Sequence, residues 1–442
     1  MYNKIYKYTT ALLFAVSVLC SCQSKKAEDG IPELKEMSSA KAPKEEADNI
    51  ILTYNQAKEA LKANPADLKQ YLTLATVFIL EGRISGDGSY YGNAALEMLN
   101  KVTGSQQATA DQLFEAYSLK STVLLNMHQF KDAYDLAKKG VAINGFNSGI
   151  YGALIDAEVE LGMYDSAVAH CDKMLALRPD LRSYSRASYL RQIHGDNRGA
   201  IDAMKMAVEA GLPGAEQTEW ARVTTGDLFL NIGSIDTAEI LYKMAAVYRP
   251  DYPYAAIGLA KVAKARKQYD SAILHTEKAI KVMGDPGFIA LLADLYELKG
   301  DNKKATEIRK DIIAGLKKGQ EEEKDAFVKH NAAREMAQAY LSVDDLKNAE
   351  KYAKADLQMR PDNIDANELM AWVLFLKKDY AVAGIHTDKM FVRKTKHASS
   401  MYKAAAIYAA KGDAVKSAAL KQESNTISIY VDEHVKMHAG NF

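Results

Sequence analysis

The sequence predicts an all-α solenoid of about ten helix hairpins, and three observations predict it. The first is residues 218–250, TEWARVTTGDLFLNIGSIDTAEILYKMAAVYRP, which read as two amphipathic helices joined by a tight turn. The break falls at Gly233-Ser234, and Pro250 stops the second helix. The second observation is recurrence. A small residue in the second helix returns as Ala133, Ala167, Ala200, Ala238, Ala272, Ala305, Ala349, Ala383 and Ser417, at spacings of 34, 33, 38, 34, 33, 44, 34 and 34. A fixed period of this length is the mark of a repeat array. The third is a matching small residue in the first helix: Ala75, Ser121, Ser188, Gly226, Ala260, Ala293, Ala337, Ala371 and Ala405. Small residues twelve positions apart let two helices of a hairpin cross closely.

In residue pattern these units resemble the tetratricopeptide repeat (TPR). That family places small residues at positions 8, 20 and 27, a bulky one at 11, Gly at 15 and Pro at 32. Here those are Gly226, Ala238, Ala245, Phe229, Gly233 and Pro250. The resemblance covers roughly Asn49 to Leu420 and implies a right-handed solenoid. Two units depart from it, with Glu158 and Arg191 at the bulky position 11. These are expected either to be exposed by local distortion or to pair with each other or with neighbours.

In chain order, residues 1–22 form a signal segment: Lys4 and Lys7, then an apolar run, Ala11 to Leu19. Nine residues fall far short of the ~20 needed to span a bilayer. Leu19-Cys20-Ser21-Cys22 resembles a bacterial lipobox, which implies cleavage before Cys22 and lipidation of its thiol; an ordinary secretory signal is the alternative. A lipoprotein cysteine would anchor the chain in the cell envelope, and Gln23 after it favours the outer membrane, facing the periplasm, with surface exposure also open. Residues 23–48, rich in Lys, Glu, Ala, Ser and Pro, are expected to be a flexible tether.

The solenoid is assigned to residues 49–420, opening with a half-repeat that ends at Pro65. The Gly-rich piece 84–93 lacks phosphate-loop spacing and reads as an extended turn. Longer connections occur around 211–214 and at 317–325, KKGQEEEKD, the latter a helix extension, a solvated loop or a hinge. Residues 421–442 are expected to form a helix capping the exposed end of the stack, because each repeat buries its apolar face only against a neighbour.

Lys plus Arg and Asp plus Glu are both 57, so the formal net charge is zero, which argues against nucleic acid as the partner. After cleavage only Cys171 would remain in the body, so no internal disulfide is available, and its core-facing position reads as a buried structural thiol. No catalytic constellation is expected, since GxSxG, Walker and CxxC patterns are missing. His434 and His438 stand at i, i+4 without the Glu of a zincin motif and read as polar surface. No metal and no cofactor are therefore expected.

The resemblance implies a protein or peptide partner gripped by the concave wall of first helices. Inward positions there hold Tyr189, Trp220, Asp227, Asn231, Tyr254, Lys261, Lys264, Asp294, Arg334, Gln338 and Trp372, with Asp156 and Gln192 beside them. No unit carries the Lys and Asn of a carboxylate clamp, so a C-terminal carboxylate ligand is disfavoured. An interaction scaffold is the leading expectation. A glycan-binding surface lipoprotein partnering an outer-membrane transporter is the second. An α/α-toroid glycosidase would need a longer hairpin period.

Overall fold

Asp and Asn residues recur where helices must begin, and in the computed structural model they do begin them. The structure describes residues 30–35, 44–324, 326–428, 430–440 and 442. Asp196, Asp301, Asp345, Asp379 and Asp413 each accept a hydrogen bond from the backbone N–H three residues on, capping the second helix of a hairpin. Helix α1 (Lys44–Ala63) precedes ten antiparallel hairpins. The first five pair α2 (Leu68–Ser85) with α3 (Gly88–Thr103), α4 (Ala110–Asn126) with α5 (Phe130–Ile143), α6 (Ser148–Glu160) with α7 (Tyr164–Leu177), α8 (Leu181–Ile193) with α9 (Asn197–Glu209), and α10 (Glu216–Asn231) with α11 (Ile235–Tyr248). The next five pair α12 (Pro253–Ala265) with α13 (Tyr269–Val282), α14 (Pro286–Leu298) with α15 (Asn302–Glu322), α16 (Ala333–Leu341) with α17 (Leu346–Met359), α18 (Ile364–Leu376) with α19 (Tyr380–Met390), and α20 (Ala398–Lys411) with α21 (Ala414–Ile427). A short α22 (Glu433–Ala439) follows. The described residues form an all-α solenoid with no strand.

The repeat register is realised in the packing. All eight marker alanines from Ala133 to Ala383 are 0 % exposed, and Ser417 is buried. Their partners in the first helices, from Ala75 to Ala405, are buried likewise. Between the two helices of each unit from the second hairpin on, one residue takes positive φ: His128, Gly162, Gly195, Gly233, Lys267, Gly300, Asp344, Lys378 and Gly412. The tight turn thus demands the left-handed region at one place per repeat, whether or not glycine fills it.

The two irregular units resolve differently. Glu158 is buried, and its carboxylate meets His170 Nδ1 at 2.9 Å on the paired helix. Burial raises its carboxyl above the usual range, with His170 opposing. Arg191 stays at the surface beside Asp196, 3.5 Å away. Cys171 is buried as expected, and burial pushes its thiol up to about 11, which leaves it unreactive.

Two expectations change. Residues 84–93 are helical on either side of a break at Gly86-Asp87, because Tyr90 and Tyr91 pack into the core and draw α3 inward. Residues 30–35 and 44–48 belong to the body rather than to a free tether. Ile31 is buried against the first hairpin, while Tyr54 and Tyr90 hydroxyls donate to the Pro32 and Glu33 carbonyls at 2.9 and 2.7 Å. These tyrosines satisfy the backbone groups that a docked segment would otherwise bury unpaired. Of the readings open for the charged connection 317–325, its first part extends α15 to Glu322, and the chain then returns to the first and second hairpins: Asn93 exchanges two 3.1 Å hydrogen bonds with the Val328 backbone, and the Met127 carbonyl accepts from the Asn331 N–H at 3.0 Å.

That return continues. The connection 360–364 docks on the turn of the third hairpin, where Asn363 Nδ2 donates to the Val159 carbonyl and the Ile364 N–H donates to the Tyr164 hydroxyl at 2.9 Å. Residues 393–396 dock on the turn of the fourth, with Thr395 donating to the Ile193 carbonyl at 2.6 Å and Asn197 to the Lys396 carbonyl at 3.0 Å. Ser428 lies against the turn of the fifth at Gly233. The solenoid therefore closes on itself, its last three hairpins seated on turns from the first half.

Candidate binding cleft

Because the chain closes on itself, the concave wall of first helices faces other parts of the same chain. A cleft of about 790 Å³ remains between α10, α12 and α14 on one side and residues 397–399 and 430–433 on the other. It gathers Gln192, Asp227, Asn231, Lys261, Lys264 and Asp294 from the sequence-derived set. Lys261 Nζ lies 2.8 Å from Asp227 Oδ1, an oxygen that also accepts from the buried Tyr242 hydroxyl at 2.8 Å. Lys264 Nζ meets Asp432 Oδ2 at 2.9 Å, and Lys267 Nζ meets Glu433 Oε2 at 3.3 Å. Burial opposes the charge of Asp432, but Lys264 outweighs it and holds the carboxyl below its usual value. Asn231 Nδ2 is shielded from solvent and makes no hydrogen bond. An amide donor left unmade at the cleft wall calls for an acceptor in the cleft.

The other expected wall residues lie elsewhere. Trp220 packs into the apolar clusters on both sides of α10. Tyr254 turns toward Met283 and sits edge-on to Tyr252 and Phe288, at centroid distances of 5.4 and 5.7 Å. Trp372 is buried and stacks on Phe375 at 4.9 Å. These aromatics fill the spaces between hairpins because burying a ring there gains more than leaving it in a polar groove. Arg334 and Gln338 stand on α16 at the return of the chain, where Arg334 contacts Glu335 and His128. Tyr189 is 42 % exposed, with Asp365, Glu160, Tyr164 and Arg334 around it.

The opposite wall was not anticipated. Residues 421–442 were expected to form one helix capping the last hairpin; α21 ends at Ile427, and the short α22 after it packs on α20 of that hairpin while also reaching α14. The signal in the sequence is the acidic pair Asp432-Glu433 just beyond Tyr430-Val431, which the structure sets against Lys264 and Lys267. Cys22 and the signal segment lie outside the described residues. No described helix is long and apolar enough to cross a membrane.

No family model and no curated protein matches the chain. Solved structures similar to it include pilF of Pseudomonas aeruginosa, at 15 % identity, 49 % of this chain, 97 % of the other and a TM-score of 0.38. A tetratricopeptide repeat protein from Parabacteroides merdae aligns at 17 % identity over 59 % of this chain and 98 % of its own, with a TM-score of 0.39. A human IFIT1 dimer with PPP-AAAA aligns at 14 % identity over 86 % and 88 %, with a TM-score of 0.48. The fold described above rests on this chain's own repeat register and packing.

Proposed function

We propose that this chain is a lipid-anchored interaction scaffold of the bacterial cell envelope, whose cleft receives an extended acidic segment of a protein partner. The observation that carries the reading is the segment 430–433. It lies across the cleft as a peptide would, with its carboxylates on Lys264 and Lys267. A partner segment with the same pattern would take the same cations once the intrinsic one moves aside, and its backbone could supply the acceptor that Asn231 lacks. The glycan-binding alternative has less support, because Trp372 is buried and Trp220 and Tyr254 are half-buried, packed between hairpins.

A chain truncated after Ile427 should bind a synthetic peptide of residues 426–436, and Lys264→Glu should weaken that binding by about tenfold or more, or about 1.4 kcal/mol. Fluorescence anisotropy reads both. Equal binding by truncated chain and Lys264→Glu variant would remove the cleft from the proposal.

The anchor rests on Cys22. Only residues 23–29 separate it from the docked segment that begins at Gly30, and seven residues reach at most about 25 Å. Lipidation at Cys22 would therefore hold the first hairpin close to the bilayer. Cys22→Ala should move the protein from the membrane fraction to the soluble one and abolish fatty-acid labelling; retained label in that variant means the anchor lies elsewhere.

A further inference from the structure

Helix α22 has seven residues and fully buries none of them. It rests on α20, where Ala439 packs against the apolar cluster around Ile407, and it also reaches α14. Its contact with α14 is polar. His434 and His438, one turn apart, direct both Nε2 atoms at Glu297 of α14. His434 Nε2 is 2.9 Å from Glu297 Oε2, 3.3 Å from Asp294 Oδ1 and 3.2 Å from His438 Nε2, and His438 Nε2 is 3.8 Å from Glu297 Oε2. Two imidazole nitrogens and a carboxylate oxygen thus converge within 4.8 Å of one another. Around a tetrahedral zinc ion, with bonds of about 2.0–2.1 Å, neighbouring ligand atoms lie roughly 3.3 Å apart.

His434 Nε2 lies 2.9 Å from Glu297 Oε2 and 3.2 Å from His438 Nε2, and a single N–H satisfies only one of these contacts. A divalent cation satisfies them together, since unprotonated imidazoles and carboxylates all present lone pairs to it. Arg309 Nη2 directs its two hydrogens at Asp294 Oδ1, 2.9 Å away, and Glu297 Oε2, 2.5 Å away, and so holds the carboxylates through their remaining lone pairs.

We infer that Glu297, His434 and His438, with Asp294 or water completing the set, bind one Zn²⁺ ion that staples α22 onto the seventh hairpin. Two imidazoles with carboxylate and no thiolate favour zinc over calcium or magnesium. The sequence hides the site because its acid is 137 residues from His434. The ion would also fix the neighbouring segment across the cleft, but the site stands whether or not that cleft takes a peptide.

The test is calorimetric titration of the full chain, freed of metal with chelator, with Zn²⁺ at neutral pH. The chain should bind one tight equivalent at this site. The double variant His434→Ala, His438→Ala should lose it, and Glu297→Gln should weaken it roughly 100-fold, each with unchanged helicity by circular dichroism. Co²⁺ in place of Zn²⁺ should give the visible absorption of a tetrahedral ion, and that band should vanish in the double variant. His330→Ala, in the separate His128, His330, Glu335 cluster, should keep the equivalent. A double variant that binds as much Zn²⁺ as the parent, or a parent that binds none, overturns the inference.

Discussion

Gly162 and Gly300 occupy the same place in two repeats, the turn between paired helices, and both take positive φ, +77° and +90°. Their surroundings have nothing in common. A Cβ on Gly162 would lie 2.5 Å from the Asp362 carbonyl carbon, whereas one on Gly300 would meet nothing within 4 Å. Gly195 resembles Gly162, with its Cβ position 2.3 Å from the Lys394 carbonyl oxygen. At Gly300 the glycine answers only to the turn. At Gly162 and Gly195 it answers also to a second layer of backbone, laid down two hundred residues later in the chain. The comparison separates two demands that a repeat pattern superimposes, one local to each hairpin and one belonging to the closure of the whole solenoid.

The closure can be broken most severely at Arg360. Its side chain is 1 % exposed, is held by both oxygens of Asp356 at 2.7 and 2.8 Å, and pairs with Glu160 of the third hairpin. Arg360→Met should leave buried carboxylates unpaired and cost about 3–5 kcal/mol in urea unfolding. A cost below about 1 kcal/mol would mean that the two layers do not lean on this contact. The glycine comparison itself comes next. Gly162→Ala should cost about 3 kcal/mol, combining left-handed strain with a clash against backbone, while Gly300→Ala should cost about 1 kcal/mol for strain alone. Equal costs at the two turns would erase the distinction drawn here. The smallest effect belongs to Arg266→Leu. Arg266 pairs with Asp236 and Glu239 at 2.7 Å near the surface, and this solvent-screened pairing should be worth well under ~1 kcal/mol.

The hairpins were legible because their determinants lie within one period. Ala238 had to be small wherever the unit sat, and Gly226 left room for the Tyr242 ring within the same hairpin. Part of the cleft was legible for the same reason: Asp227, Asn231, Lys261, Lys264 and Asp294 occupy inward positions of consecutive first helices, so they share a wall once the repeats stack. Trp220, Tyr254 and Trp372 hold inward positions too, but the choice between groove and core depends on the space left by the neighbouring hairpin, which no single repeat encodes.

By itself the sequence determined the all-helical repeats, their register, the burial of the marker alanines and of Cys171, and the tight turn at Gly233. These follow from short-range sterics and from the periodic placing of small and apolar residues. Only the tertiary structure decided that residues 30–35 cover the first hairpin, that the last three hairpins seat on the turns of earlier ones, and that His434 meets Glu297. Those contacts join residues far apart in the chain, and their partners are fixed by the curvature accumulated over many stacked hairpins. A small change of angle at each repeat moves the far end by many ångströms, so the geometry of closure belongs to the stack and cannot be read from any one unit.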